Sequence, residues 1–540
     1  MKQVFVNTYS KTTADDKASL SGVLSSEVTK SSSLLDDSTQ RPIELLAPAG
    51  GWEQLRYALY FGADAVYLAC DKFGLRSRAG NFSLEELPGA IALAHQYGAK
   101  VHVTCNAFAH DTDLEELPSY IEAIRDAQAD AVIVSDLGVL SVVQQVAPEL
   151  TIHVSTQASV SNAAAAMMWY RLGARRIVCA REMSCEEIAA MRRAIPDDLE
   201  IEVFVHGAMC MAISGRCLIS DFMTGRAANK GECVQPCRWE YRLKEPSRPD
   251  QEFGIEEDEV GTYLMNSKDL NMLSHVQDLR RAGVDSIKIE GRVKKAFYVA
   301  TVVNAYRHVL DGEDPVLWEK ELDTISHRPY STGFFFGPAE QSTDADMYQQ
   351  LYDWVGEVVY AAPVTTRASL ENSSACSNEA PQDASLNEEE QTGESAQGMW
   401  RVWAKCRNRF YQGDKLEVLS PHEPIREIEV CDLAEVFGYN PDTQSAEELL
   451  EMQQAFHALD EVAGNNNQES SSDAQDSMNA FEQGKDKQAG EQENKAINPY
   501  AEVSTDTARK AMGLYVFTCS VPLKSHDILR VKRKDPNRKN

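Results

Sequence analysis

The 540-residue chain has no apolar run of roughly eighteen residues, so no segment reads as a membrane-spanning helix. Its first residues, MKQVFVNTYSKTTADDKASLSG, lack the apolar core and small-residue cleavage site of a secretory signal. Asp15 and Asp16 argue equally against an organelle transit peptide, and the expected location is the cytoplasm. Twelve cysteines are too few for a disulfide scaffold at this length. In a reducing compartment a tight group of them reads as metal-binding or catalytic. Familiar catalytic signatures are missing too: there is no H-E-x-x-H, no G-x-S-x-G, and no G-x-G-x-x-G after the first strand. Positive charge is scarce, with 53 Lys and Arg against 83 Asp and Glu and a formal net charge of −30. That total does not exclude nucleic acid, because much of the acid lies in segments that read as unfolded and a local basic patch survives the averaging.

What is present divides the chain. Residues 1–40, rich in Ser, Thr and Asp, predict a disordered tail, and segments from about 369 to 398 and about 463 to 507 read as polar insertions. From Ile43 to Gly291, short apolar runs alternate with amphipathic helical stretches. The runs are IELLAP, AVYLAC, KVHVTCN, AVIVSD, TIHVSTQ, RIVCARE, IEVFVHG and SIKIEGR. Eight such βα units predict a TIM-type (β/α)8 barrel over residues 41–337, with a doubly wound open sheet as the other arrangement. Beyond AFYVATVVNAYRHVLDG the pattern turns to strands and turns, including WRVWAKCRNRFYQGDKLEVLS and LYVFTCSVPLKSHDILRVKRK. These predict a small C-terminal β-barrel or sandwich over residues 338–540, holding both insertions.

Four of the cysteines, Cys210, Cys217, Cys233 and Cys237, crowd into EVFVHGAMCMAISGRC and CVQPCRWEY. Thiolates are soft ligands that suit zinc or an iron–sulfur cluster. Structural zinc usually takes a C-x2-C turn, and neither pair here has it. A cluster tolerates the wider C-x6-C and C-x3-C spacings, and it would lie beyond the seventh strand at the barrel's C-terminal mouth. Structural zinc and plain buried cysteines remain the other readings.

The stretch EVFVHGAMCMAISGRCLIS, with GECVQPCRWEY, GTYLMNSKDL and IKIEGR, resembles the signature of the collagenase-like peptidase family of unassigned catalytic type, family thirty-two, over roughly Ile43 to Gly337. The β region is similar to the companion domain of the family's longer members. The arrangement is most similar to members that hydroxylate wobble uridine in tRNA to 5-hydroxyuridine in a prephenate-dependent reaction. The resemblance therefore implies tRNA as partner, prephenate as a small dicarboxylate co-substrate, and an iron–sulfur cluster of the 4Fe-4S type on the four cysteines. Other members hydroxylate a ribosomal RNA cytidine or the ubiquinone ring, and some are classed as collagen-degrading peptidases. A peptidase, or an RNA-binding factor with a structural metal site, are the competing functions. A peptidase needs an activated nucleophile or metal-bound water, and a Cys210–His206 pair would leave three cysteines unexplained. Hydroxylating a pyrimidine needs a redox centre, which a cofactor normally provides.

Residues at the C-terminal strand ends of a barrel face its site. Here they are Asn106, Asp136, Ser155, Gln157, Arg181, Glu182, His206, Glu290 and Arg292. Asp136, Glu182 and His206 are the candidate catalytic groups. Asn106, Gln157, Arg181 and Arg292, with Arg76 and Arg78 after the second strand, are candidate substrate-binding groups, since guanidinium forks match carboxylates. For RNA, WRVWAKCRNRF places Arg401, Trp403, Lys405, Arg407 and Arg409 at alternate positions, a basic row with an aromatic in it. LRVKRK adds Arg530, Lys532 and Lys534 in one register. Ordinary strand caps, ion pairs and a solvated strand face are the plain alternatives for each of these groups.

Overall fold

The computed structural model describes residues 42–75, 80–209, 219–226, 232–234, 236, 243–244, 252–253, 257–258, 261–262, 266–337, 339, 341–342, 348–364, 399–436 and 502–533. The expected tail, the first insertion, most of the second, and Arg76, Arg78, Cys210, Cys217, Cys237 and Lys534 lie outside the described residues.

Each of the eight apolar runs forms one parallel strand. They are β1 (Glu44–Pro48), β2 (Ala65–Leu68), β3 (Lys100–Cys105), β4 (Ala131–Val134), β5 (Thr151–Val154), β6 (Arg176–Val178), β7 (Glu200–Gly207) and β8 (Ser286–Ile289). Neighbours in sequence pair in order, and β8 pairs in parallel with both β1 and β7. The sheet therefore closes, which excludes the open doubly wound alternative. Helices between strands start on the short polar residues expected at such positions. Asp136 caps Leu137–Val146, Asn162 caps Ala163–Arg171, and Ser184 forms a capping box with Glu187 on Cys185–Ala194. No helix among the described residues is long and apolar enough to cross a membrane.

The inside of the barrel is not filled in the usual way with branched apolar side chains. A small apolar cluster of Leu46, Ala65, Tyr67 and Ile133 shares it with buried ionic groups. Arg176 pairs with Glu44, with Glu200 at 2.7 Å and with Glu202 at 3.1 Å, and Lys288 pairs with Glu202 at 2.9 Å. Burial opposes the charge on Glu44, but hydrogen bonds and charge from Arg176, helped by Lys100, hold its carboxyl at about 2. His102 and His153 lie in the same interior, ring centroids 4.6 Å apart, and burial depresses both, His102 to about 4.

The C-terminal region is an eight-stranded antiparallel sheet. Its strands are β9 (Tyr352–Pro363), β10 (Trp400–Cys406), β11 (Lys415–Leu419), β12 (Arg426–Glu429), β13 (Cys431–Val436), β14 (Glu502–Ser504), β15 (Leu514–Cys519) and β16 (Ile528–Lys532). They are ordered β12-β11-β16-β9-β10-β15-β13-β14. Val355, Val402, Val418, Ile428, Phe517 and Leu529, from six strands, share one core, so the sheet curls around it. The first polar insertion falls between β9 and β10 and the second between β13 and β14, where Glu502–Ser504 already pairs with β13.

Ionic and aromatic contacts fasten this sheet to the barrel. Arg530 is 1% exposed and pairs with Glu321 on a barrel helix and Glu417 on β11, at 2.6 and 2.7 Å. Arg407 reaches Glu53 and Glu357, both at 2.6 Å. Tyr57 meets Trp354 edge-on at 5.5 Å, and the Tyr60 hydroxyl donates to Asp527 at 3.1 Å.

Two outcomes follow from these buried groups. His102 and His206 have folded pKa values of about 4 and about 3, below the ordinary 6.5. The unfolded chain therefore binds more protons as pH falls below 6.5, and stability drops from there downward. His102 alone accounts for on the order of 3 kcal/mol. Glu44 and Glu357, both held at about 2, extend the loss below pH 4.5. Urea midpoints are expected to fall between pH 6.5 and 4, and a flat profile over that range would contradict the buried, neutral histidines. Arg530→Met strands Glu321 and Glu417 and is expected to cost about 3–5 kcal/mol. Adding Glu321→Gln and Glu417→Gln should recover most of that loss, measured by the same denaturation.

Candidate active site

The mouth of the barrel is assembled by strand ends that closure brings together. Arg181, after β6, donates through Nη2 to Glu290 Oε2 at 2.9 Å and through Nη1 to the Ala208 carbonyl at 3.1 Å. Its guanidinium lies 4.0 Å from the centre of the Phe204 ring. One side chain thus ties the ends of β6, β7 and β8. Gly207, at φ +102°, makes this approach possible, because a Cβ there would stand 2.6 Å from the Glu290 carbonyl oxygen. Arg292 is buried, donates weakly to Thr104 Oγ1 at 3.4 Å, and is crossed by Gly50, where a Cβ would stand 1.9 Å from the Arg292 carbonyl oxygen.

A second group lies on the opposite strands. Asn106 donates to Ser155 Oγ at 3.1 Å and accepts from the Leu75 amide at 3.4 Å, and Ser155 Oγ also accepts from the Gln157 amide. Asp136 takes another part: its Oδ1 accepts from the amides of Gly138 and Val139 at 2.7 and 3.2 Å, as a helix cap. Glu182 is half-buried on the turn after β6.

His206, at the end of β7, is 1% exposed, and neither ring nitrogen has a hydrogen-bond partner among the described residues. The rings of Tyr298, Tyr306 and Tyr330 stand 5.4 to 5.9 Å from it. Burial depresses its pKa to about 3 against the opposing charge of Asp269, so the imidazole is neutral at ordinary pH. Sequence reasoning missed this surround. Asp269 is buried and bonded to Arg328, Nη2 to Oδ1 at 2.9 Å. Asp269–Asn271 pairs antiparallel with the end of β7 and parallel with Tyr330–Ser331. Strands of two or three residues carry no period from which to read them.

Of the four clustered cysteines only Cys233 is among the described residues, half-buried. Met209, next to Cys210, borders a water-sized cavity of ≈ 10 Å³ with Arg181, Phe204 and Leu270. A larger cavity of ≈ 310 Å³ is bounded by Lys72, Phe73, Glu116 and Tyr120. Cys70, Cys105 and Cys179 are ordinary core, and burial pushes the Cys70 thiol up to about 11 and Cys179 up to about 12.

The expected basic row needs correction. Val402, Ala404, Cys406 and Phe410 are buried and Arg401, Trp403 and Lys405 share the other face, as the alternation predicts. However, β10 ends at Cys406, so Arg407 and Arg409 lie past the strand, and Arg407 is drawn to Glu53 and Glu357. Arg409 is exposed. Arg401 is paired with Glu502 and lies 5.5 Å from the Trp403 ring, which itself is 5.5 Å from Tyr360. Arg530 keeps its register with Lys532 on β16, but its guanidinium faces carboxylates in the interface and is taken up by them.

A closed parallel barrel with a polar, arginine-bridged mouth defines a TIM-type enzyme scaffold. Sequence comparison specifies the kind: the chain matches the profile of peptidase family U32 over residues 50–345 and belongs to that family. It is 41% identical to the tRNA hydroxylation protein P1 of Bacillus subtilis, over 59% of this chain and 78% of that one. It is 34% identical to the tRNA hydroxylation protein P of Escherichia coli, over 71% of this chain and 87% of that one. A protein named collagenase from Porphyromonas gingivalis is 33% identical over 54% of this chain and 73% of its own.

The Arg181 guanidinium is engaged by Glu290, which competes with any carboxylate ligand. Glu290→Gln is therefore expected to tighten binding of a small dicarboxylate by about tenfold, read by calorimetry. Unchanged or weaker binding would place the dicarboxylate away from Arg181.

Proposed function

We propose that the chain is an RNA-modifying hydroxylase that converts wobble uridine of tRNA to 5-hydroxyuridine with prephenate as co-substrate. The observation that carries this reading is the pattern of relatives. The proteins named for tRNA hydroxylation share higher identity or longer coverage than the one named collagenase, and the Escherichia coli protein aligns over 71% of the chain. Replacing the C5–H bond by C5–OH removes two electrons from the pyrimidine, so a redox group is needed. An iron–sulfur centre on Cys210, Cys217, Cys233 and Cys237 would, when bound, pass those two electrons one at a time to an external electron acceptor. Support for it lies in the soft donor set and its place in the chain just beyond β7.

The chain's own residues suit the remaining tasks. Arg181 and Arg292, with Arg76 and Arg78, offer guanidinium groups for a dicarboxylate. His206, neutral and aromatic-walled, and Glu182 are the groups for proton handling; Asp136, occupied as a helix cap, is the weakest of the three. Asn106 and Gln157 offer amides at the β3 and β5 ends. Arg401, Trp403 and Lys405 present charge and a stacking surface for tRNA, with Arg409 near by. A peptidase reading draws on the collagenase-named relative, but no described serine or cysteine hydrogen-bonds His206.

Mass spectrometry of tRNA nucleosides from cells lacking the protein tests the proposal. 5-Hydroxyuridine is expected to vanish, to return with the wild-type chain, and to stay absent with Cys233→Ala. Undiminished 5-hydroxyuridine in the deletion strain would overturn it, and gelatin clearance by the purified chain would favour the peptidase.

A further inference from the structure

We propose that His102, His153 and Glu202 form a buried site for a first-row divalent transition-metal ion inside the barrel, on residues other than the four cysteines. One ligand atom from each of the three lies within 4.8 Å of the others. They come from β3, β5 and β7, and side chains from alternate strands are how a barrel builds one interior layer. Two imidazoles and a carboxylate are a donor set common to zinc and iron(II) sites.

The second observation is the state of the imidazoles. His102, His153 and Glu202 are 1%, 4% and 0% exposed, and the Nδ1 atoms of both histidines have no hydrogen-bond partner among the described residues. A buried polar atom without a partner is costly, and two in one layer of a barrel core need a reason. Burial keeps both rings neutral, which is the form that ligates metal.

The layer can receive an ion. Ligands around a tetrahedral ion stand about 3.4 Å apart, so the three groups need only draw together slightly. Glu202 now accepts from Lys288 at 2.9 Å and Arg176 at 3.1 Å. An ion would take a second lone-pair site on Glu202, so that Lys288 and Arg176 keep their hydrogen bonds to the same carboxylate. Glu44, Glu200 and Glu202 provide three carboxylates against Arg176 and Lys288, while Lys100 reaches Glu44 at 3.9 Å from the exposed rim. Enclosure on every side makes the ion a structural one that pins β3, β5 and β7 together.

Chelator-treated full-length protein is titrated anaerobically with Co²⁺. Thiolate ligation adds an intense near-ultraviolet charge-transfer band, whereas nitrogen and oxygen ligands give only weak visible bands. The wild-type chain is expected to bind one equivalent without the thiolate band. His102→Asn and His153→Asn, with folding verified by circular dichroism, are expected to lose that equivalent and keep any thiolate-bound cobalt. Zn²⁺ should raise the Tm of the wild type more than that of either variant. A folded variant that retains the band-free equivalent overturns the proposal. So does wild-type protein whose bound cobalt all carries the thiolate band, a result that holds whether or not the variants fold.

Discussion

Strand β8 bonds to β1 on one side and β7 on the other, and every feature of the mouth depends on that closure. It sets Glu290 opposite Arg181 and passes the Arg292 carbonyl across Gly50. Closure also fixes the charged interior. Arg176 from β6 meets carboxylates from β1 and β7, and Lys288 from β8 meets Glu202 from β7. Shifting one strand by a single residue would turn these groups out of the barrel and leave their partners buried alone. The ionic interior therefore enforces register, which an all-apolar filling would do less strictly.

The curled sheet extends this dependence outward. Arg407 and Arg530 spend their charge on carboxylates of both the sheet and the barrel helices. Their role is to hold two layers together, and this leaves on the outer face of β10 only Arg401, itself paired with Glu502, and Lys405 in line with Trp403. In a chain of net charge −30, so limited a surface would make the proposed tRNA contact a local one.

All eight barrel strands were legible because each is a short β-branched run between helical stretches, but eight strands also fit an open sheet, and the pairing of β8 with β1 decides for closure. The two faces of β10 were legible from alternation alone. What lies opposite a face is not written in its period: nothing in WRVWAKCRNRF shows that Arg407 meets Glu53, more than three hundred residues earlier. His102 and His153 stood in plain view within KVHVTCN and TIHVSTQ, but only the registers of β3 and β5 on the β4 strand between them bring their rings together. Likewise, nothing local to Asp269 shows that its partner is Arg328, 59 residues away. The family resemblance carried what spacing could not, namely which chemistry a four-cysteine barrel performs.

The hydroxylase reading joins barrel, cysteines and sheet into one activity, and it is tested most directly outside the cell. Purified chain, loaded anaerobically with iron and sulfide, is incubated with tRNA lacking the modification, with and without prephenate, and the nucleosides are weighed. A uridine heavier by one oxygen atom should appear only with iron-loaded protein and prephenate together. Unaltered uridine in that complete mixture, from protein that holds its iron, would contradict it.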